Sequence, residues 1–204
     1  MSCLIVLSTS CRQHFKDENS YTRDQSATEY FVVEEPEPIF FFINYTTPLD
    51  SLIPDVGRGN LYIKITKSKY RLAICIADEV IKEYPAVFGG NPVDDKLVQG
   101  DRCTPEGNFK VLAKYPHRNW SRFILIDYPN AESMVKFREA KRSGKIPPDA
   151  TPGGSVGIHG VTSGFDYVID GRENWTLGCI SLKRKDVEEI YDHIRIGTAI
   201  KVVR

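Results

Sequence analysis

From residue 60 onward the chain reads as a succession of short β-strand patterns separated by turns, and this limits the folds open to it. Residues 61–65, Leu-Tyr-Ile-Lys-Ile, alternate apolar and polar, the period-two pattern of a half-buried strand. Polar Lys67-Ser68-Lys69 follows, and residues 70–77 read as a second strand, so the two are expected to form a hairpin. Residues 79–88 read as a third strand, ending at the turn signal Gly89-Gly90-Asn91-Pro92. Residues 108–113, 123–127, 155–159 and 199–203 supply further short strands. Two segments have helical spacing instead. One is 132–142, with Gly144 as its stop; the other is 183–194, where Val187, Ile190, Tyr191 and Ile194 share a face. Many short strands with few helices predict a mainly β domain with α decoration, here spanning residues 58–204.

The chain before residue 58 has a different character. Residues 12–57 read as a linker or N-terminal extension, because 12–35 is polar and shows no periodicity. Pro36 and Pro38 then precede the apolar run Ile39-Phe40-Phe41-Phe42-Ile43, expected as a strand or an edge of the core. Residues 1–11 hold a short apolar stretch, Leu4 to Leu7, then small residues and Cys11. That order resembles a clipped signal or lipoprotein leader, whose cysteine would carry a membrane anchor; a plain N-terminal tail is the alternative. No other apolar run approaches the roughly 18 residues of a membrane-spanning helix.

Charge and cysteine usage remove some functions. Lys+Arg and Asp+Glu are equal at 27 each, so the overall basic balance that favours nucleic acid is absent. The five cysteines, Cys3, Cys11, Cys75, Cys103 and Cys179, form no CxxC pair and no His/Cys cluster of zinc spacing, so no metal site is expected. Cys75 lies in the apolar run LAICIA and reads as a buried structural thiol. Cys103 sits in a polar loop and is assigned no role.

The chemistry is concentrated between Gly154 and Leu182. Ile158-His159-Gly160 is followed, after a loop, by Trp175-Thr176-Leu177-Gly178-Cys179-Ile180-Ser181-Leu182. A thiol attacks as its thiolate, and a nearby histidine can take the proton. Gly178 lets backbone approach a reacting carbonyl, and N–H groups around Cys179 could hold an oxyanion. The helix expected from Lys183 would place an N-terminus near the thiol and favour its ionised form. Each feature has a plainer alternative. A lone cysteine is usually a small buried hydrophobe. His117 reads as part of a surface loop, with substrate contact the alternative, His193 as structural near a helix end, and Asp166 and Asp170 as solvated loop carboxylates, with orienting a partner the alternative.

Three separated motifs in order resemble the L,D-transpeptidase catalytic domain, also called the YkuD domain. They are the turn Gly100-Asp101-Arg102-Cys103-Thr104-Pro105-Glu106-Gly107, the segment IHG at 158–160, and TLGCI at 176–180. The resemblance covers residues 60–204 and implies a β-sandwich-like fold with cysteine and histidine in one groove. It implies an acyl-enzyme on Cys179 formed from a peptidoglycan stem peptide, with no cofactor. His159 would be general base and acid, Gly160 would orient the imidazole through its carbonyl, and Thr176 would shape the loop. Gly178 and Cys179 would offer backbone donors. Two positions depart from the pattern: Leu177 stands where many members have His, and Ser181 where many have Arg. Arg172, Trp175 and Ser181 are the candidates for substrate contact, with core packing the alternative for Trp175. The WTxGCI variant is similar to a subgroup of Gram-negative bacteria, some of which cleave wall links. The implied alternatives are thus a thiol amidase or peptidase acting on a crosslink or on a protein–peptidoglycan link, and an inactive peptidoglycan-binding module. A wall-linked protein is a candidate acceptor. The implied location is exported, periplasmic or envelope-associated, with Cys11 as the candidate lipid anchor.

Overall fold

The computed structural model describes residues 41–53 and 60–204. The leader and Cys11, and the polar stretch 12–35, lie outside the described residues. Eight strands follow in the order β1 (Leu61–Thr66), β2 (Arg71–Ile76), β3 (Glu79–Pro85), β4 (Gly107–His117), β5 (Ser121–Ile126), β6 (Gly157–Gly160), β7 (Ile180–Leu182) and β8 (Ala199–Val203). Four helices accompany them: α1 (Leu49–Leu52), α2 (Ala131–Arg142), α3 (Tyr167–Asp170) and α4 (Arg184–His193). The mainly β expectation holds.

The strands form one mixed sheet in the order β3-β2-β1-β8-β4-β5-β6-β7. The strand β4 joins its two halves: residues 107–110 pair with β8, and residues 111–117 pair with β5 across a register shift. That double duty explains why β4 extends beyond the 108–113 read from the sequence. Alternation sends Ile63, Ile65, Ile200 and Val202 inward from one half, and Ile124, Ile126, Ile158 and Ile180 inward from the other, into one shared core. The segment after β3 then reaches β7, where Val87 and Ser181 exchange both backbone hydrogen bonds, at 3.0 and 2.8 Å. The last strand of the sheet is therefore held from both sides.

The helix α4 packs Val187 and Ile190 into this core. Its Glu189 carboxylate gathers Lys82 Nζ at 2.8 Å, the Tyr84 hydroxyl at 2.8 Å and the Leu49 N–H at 2.7 Å. This network fastens residues 41–53, within the stretch expected as an extension, onto β3 and α4. Leu49 is 0% exposed and belongs to the core. Phe41 to Ile43, expected as strand or core edge, instead leads into a turn with Phe41 77% exposed. The turn is docked by the Glu83 N–H on the Ile43 carbonyl at 2.9 Å. On the opposite flank, Asn130 caps α2 by accepting from the Ser133 N–H at 3.0 Å.

Burial of Leu49 predicts that Leu49→Ala lowers unfolding free energy by about 2–5 kcal/mol. Leu177→Ala, at a residue 76% exposed, should change it by less than about 0.5 kcal/mol. Urea unfolding of both variants measures the contrast, and equal small effects would mean that residues 41–53 do not belong to the cooperative unit.

Candidate active site

The site is carried by β6 and β7, which run parallel with His159 beside Ser181 and Ile158 beside Ile180. Cys179 immediately precedes β7, where the nearby Gly157 backbone N–H favours the ionised form of its thiol. Alternation places Cys179 and Ser181 on one side of their strand, the side of His159. Cys179 and His159 both line one open cavity of about 1050 Å³.

The imidazole is held on every side but one. Its Nδ1 lies 2.8 Å from the Gly160 carbonyl oxygen, which can only accept, so Nδ1 carries the proton and Nε2 is the basic nitrogen. Phe123, its register partner on β5, stacks at 5.7 Å with planes 9° apart. Trp120, from the β4–β5 turn, stacks at 4.3 Å, and His117 stacks in turn on Trp120 at 4.3 Å. Trp175 stands edge-on at 5.6 Å. Gly160 permits this enclosure, because a Cβ there would fall 2.8 Å from the Trp120 carbonyl oxygen.

The cysteine loop is fixed by the other two motifs. The Thr176 hydroxyl donates to the Cys179 carbonyl at 2.7 Å and accepts from the Gly178 N–H at 3.1 Å. Thr176 N–H reaches the Phe88 carbonyl at 3.2 Å, and Gly90 N–H reaches the Thr176 carbonyl at 3.0 Å. Gly89 N–H is held by the buried Thr104 hydroxyl at 3.0 Å. Gly178 has φ +137°, and a Cβ there would lie 2.7 Å from the Cys103 carbonyl oxygen, so only glycine fits. Asp101 organises the preceding turn, accepting from the N–H groups of Leu97, Val98 and Cys103 at 2.8, 2.9 and 3.0 Å.

Burial dominates the electrostatics. It lowers the His159 pKa to about 4, against the opposing pull of the Gly160 hydrogen bond, with the charge of nearby His117 lowering it further. Burial also raises the Cys179 thiol, although the Gly157 N–H and Lys96 favour its ionised form. The resting pair at neutral pH is thus a neutral thiol beside a neutral imidazole. The Cys179 Sγ lies 3.7 Å from the Ser155 carbonyl, which accepts the thiol proton. The N-terminus of α4, expected to favour the thiolate, is directed elsewhere: its Arg184 N–H donates to Asp166 at 3.2 Å.

The cavity brings Cys179, His159, Thr176, Gly178 and Trp175 together, and Trp175 is 37% exposed. The two other candidates for substrate contact lie apart from it. Ser181 is fully buried with its backbone bonded to Val87, and this removes its hydroxyl from substrate reach. Arg172 has its guanidinium 5.2 Å from the Tyr70 ring centre, and it does not line the cavity. The expected backbone donor of Gly178 is engaged by Thr176. Of the loop carboxylates, Asp166 accepts from the Arg184 N–H at the start of α4, while Asp170 is solvated as expected, its side chain 62% exposed, and pairs with Lys183 at 2.5 Å. His117 lines the cavity, and His193 joins Asp50 to the Glu189 carbonyl, both at 2.7 Å. Sequence reasoning missed Trp120 as a wall of the imidazole and Lys96 as a cavity residue; nothing local in the sequence marks either. Among the described residues, no group of three or more His, Cys, Asp or Glu could hold a metal ion, and no helix is long and apolar enough to cross a membrane.

Residues 60–203 match the model of the L,D-transpeptidase catalytic domain, YkuD, and the chain belongs to that family. Among solved structures, the helical cell shape determining protein Pgp2 from Campylobacter jejuni is similar at 20% identity and TM-score 0.50, over 70% of this chain and 46% of that one. Bd1075 from Bdellovibrio bacteriovorus is similar at 19% identity and TM-score 0.49, over 71% and 48%. An L,D-transpeptidase from Mycobacterium smegmatis is similar at 19% identity and TM-score 0.43, over 71% and 59%. The chain spans about half the length of the solved structures it matches. No curated protein matches it.

Two outcomes follow from this geometry. Thr176→Val removes both hydroxyl bonds around Cys179; it should destabilise the fold by about 1–3 kcal/mol and slow alkylation of Cys179, while Thr176→Ser keeps both properties near wild type. Thermal unfolding and iodoacetamide kinetics measure them. The depressed His159 pKa means the unfolded chain binds a proton that the folded chain rejects between pH 6.5 and about 4. Stability is complete above that window and falls as pH drops through it, by about 3 kcal/mol at most. His159→Gln should flatten that part of a urea-midpoint profile; an unchanged slope would assign it to other groups.

Proposed function

We propose that the chain is an L,D-transpeptidase-type acyltransferase of the cell envelope, acting on peptidoglycan stem peptides through a thioester on Cys179. The observation that carries this reading is the Nδ1–H of His159 held on the Gly160 carbonyl, which leaves Nε2 as the basic nitrogen of a residue that lines one cavity with Cys179. Family membership supports it.

The burial of both groups sets the order of steps. A neutral thiol is a weak nucleophile, so proton removal accompanies attack. The Cys179 S–H proton passes to Nε2 as the C–S bond forms at a stem-peptide carbonyl. Trp120 and Phe123, stacked on the ring, stabilise the resulting imidazolium through their π faces. The Cys179 backbone N–H is the loop's remaining candidate donor to the oxyanion, since that of Gly178 is engaged. The amide C–N bond then breaks as Nε2 returns its proton to the leaving amine. An incoming amine attacks the thioester and gives its proton to Nε2; the C–S bond then breaks and Nε2 passes that proton to the sulfur, restoring the thiol. Water in that role would make the enzyme a hydrolase.

Mass spectrometry of purified muropeptides incubated with the protein, and in parallel with Cys179→Ala, tests the reading. New crosslinked or exchanged stems are expected with the wild type, and a loss on the order of 10⁴-fold with the variant. A carbapenem should add its mass to the wild type and not to Cys179→Ala. Shortened stems without new links would reassign the activity to hydrolysis, and no change in either sample would leave a binding module as the better account.

A further inference from the structure

Among the described residues lining the catalytic cavity, Lys96 alone carries a fixed charge; the rest are aromatic, aliphatic, amide, hydroxyl or glycine, with the two histidines and the thiol. Its side chain is only 4% exposed. Its Nζ lies 3.8 Å from the point where a Cβ on Gly178 would sit, beside the nucleophile. The ammonium donates to the Val98 carbonyl at 3.0 Å and to Asp101 Oδ1 at 2.8 Å, so two of its three N–H groups are engaged in the wall.

The Lys96–Asp101 pair is oriented across that wall. Asp101 does not line the catalytic cavity. It lines a second cavity of about 610 Å³, together with Asp94, Asp95, Glu139, Lys136 and Lys145, and Lys96 does not line that one. The carboxylate is shared among three backbone N–H groups as well as Lys96, so its charge is dispersed within the turn. The catalytic side therefore meets the positive end of the pair, in a partly desolvated setting where a charge acts strongly. The direction in which Lys96 pulls the Cys179 thiol agrees with this.

We propose that Lys96 makes the cavity an anion site, and that its ammonium reads a substrate carboxylate lodged beside the amide that Cys179 attacks. The substrate half of this inference rests on the acyl-transfer reading; the anion half does not.

Alkylation of Cys179 with iodoacetate, an anion, and iodoacetamide, its neutral counterpart, reads the site charge without any turnover, when followed by peptide mapping of Cys179. Glutathione supplies the reference ratio of the two rates. In the wild type the iodoacetate/iodoacetamide ratio should exceed that reference by about fivefold or more. Lys96→Met should bring it down to the reference, while Lys96→Arg and Asp101→Asn should retain the preference, with folding checked by thermal unfolding. A wild-type ratio equal to that of glutathione, or a folded Lys96→Met that keeps the preference, would reduce Lys96 to a structural counter-ion of Asp101. With muropeptides, amidating the carboxylate next to the reacting amide should raise KM about tenfold for the wild type and leave Lys96→Met unaffected. Equal sensitivity in both proteins overturns the substrate assignment. Absence of turnover, with the alkylation preference intact, would fall on the acyl-transfer reading instead.

Discussion

The site depends on the way a three-residue strand is held. The strand β7 is too short to persist alone. It survives because β6 bonds one of its edges in parallel and Val87 bonds the other through Ser181. Each of its residues is buried, so its position follows the core and not the loop that precedes it. Cys179 is the first residue outside this clamp and Gly178 the last residue of the loop. Cys179 thus sits where rigid pairing meets a backbone conformation that only glycine adopts easily. Rigid support directly beneath a reacting group limits the motion that would misplace it by an ångström.

Enclosure has a second consequence, which runs against the simplest picture of a thiol enzyme. A cysteine next to a histidine is readily imagined as an ion pair at rest. Here the walls of Trp120, Phe123 and Trp175 remove water from the imidazole, and removal of water penalises either charge. The N-terminal dipole of α4 offers no compensation, because Asp166 caps it. In the acyl-transfer reading the charged pair arises only as the proton moves, and there a π face attracts an imidazolium more than a neutral ring. On that reading the stacked rings offset part of the desolvation cost as the proton arrives.

Much of this was legible in the residues. Period-two alternation in residues 61–65 and the helical spacing of Val187 and Ile190 describe local contacts with a core, and both elements appear where the pattern puts them. The three motifs identify the family because their residue types are set by close approach: the Gly178 backbone meets Cys103, and Thr104 meets Gly89. What stayed hidden is non-local. Leu49 looks like part of a linker because the Glu189 carboxylate that anchors it comes from the far end of the chain. Trp120 sits in a polar turn, and only the β5–β6 register brings it over His159. Ser181 was a natural candidate for substrate contact by position after the cysteine, yet it is fully buried on the His159 side of β7 and does not line the cavity.

Lys96 shows the same lesson in its sharpest form. In Asp94-Asp95-Lys96-Leu97 it has the appearance of a solvated charge, and such residues are almost never fully buried unless paired. Its partner is five residues away in a turn whose backbone N–H groups already hold that partner. An ion pair of this kind contributes little to stability once its desolvation is counted. A hydrophobic wall would serve the fold as well, so the value of the pair lies in what its two ends face. One end lies by the thiol and the other by a separate cavity of mixed charge. The turn that carries the Gly-Asp motif therefore does two things at once: it braces the cysteine loop through Cys103 and Thr104, and it sets the sign of the field in the cavity through Lys96.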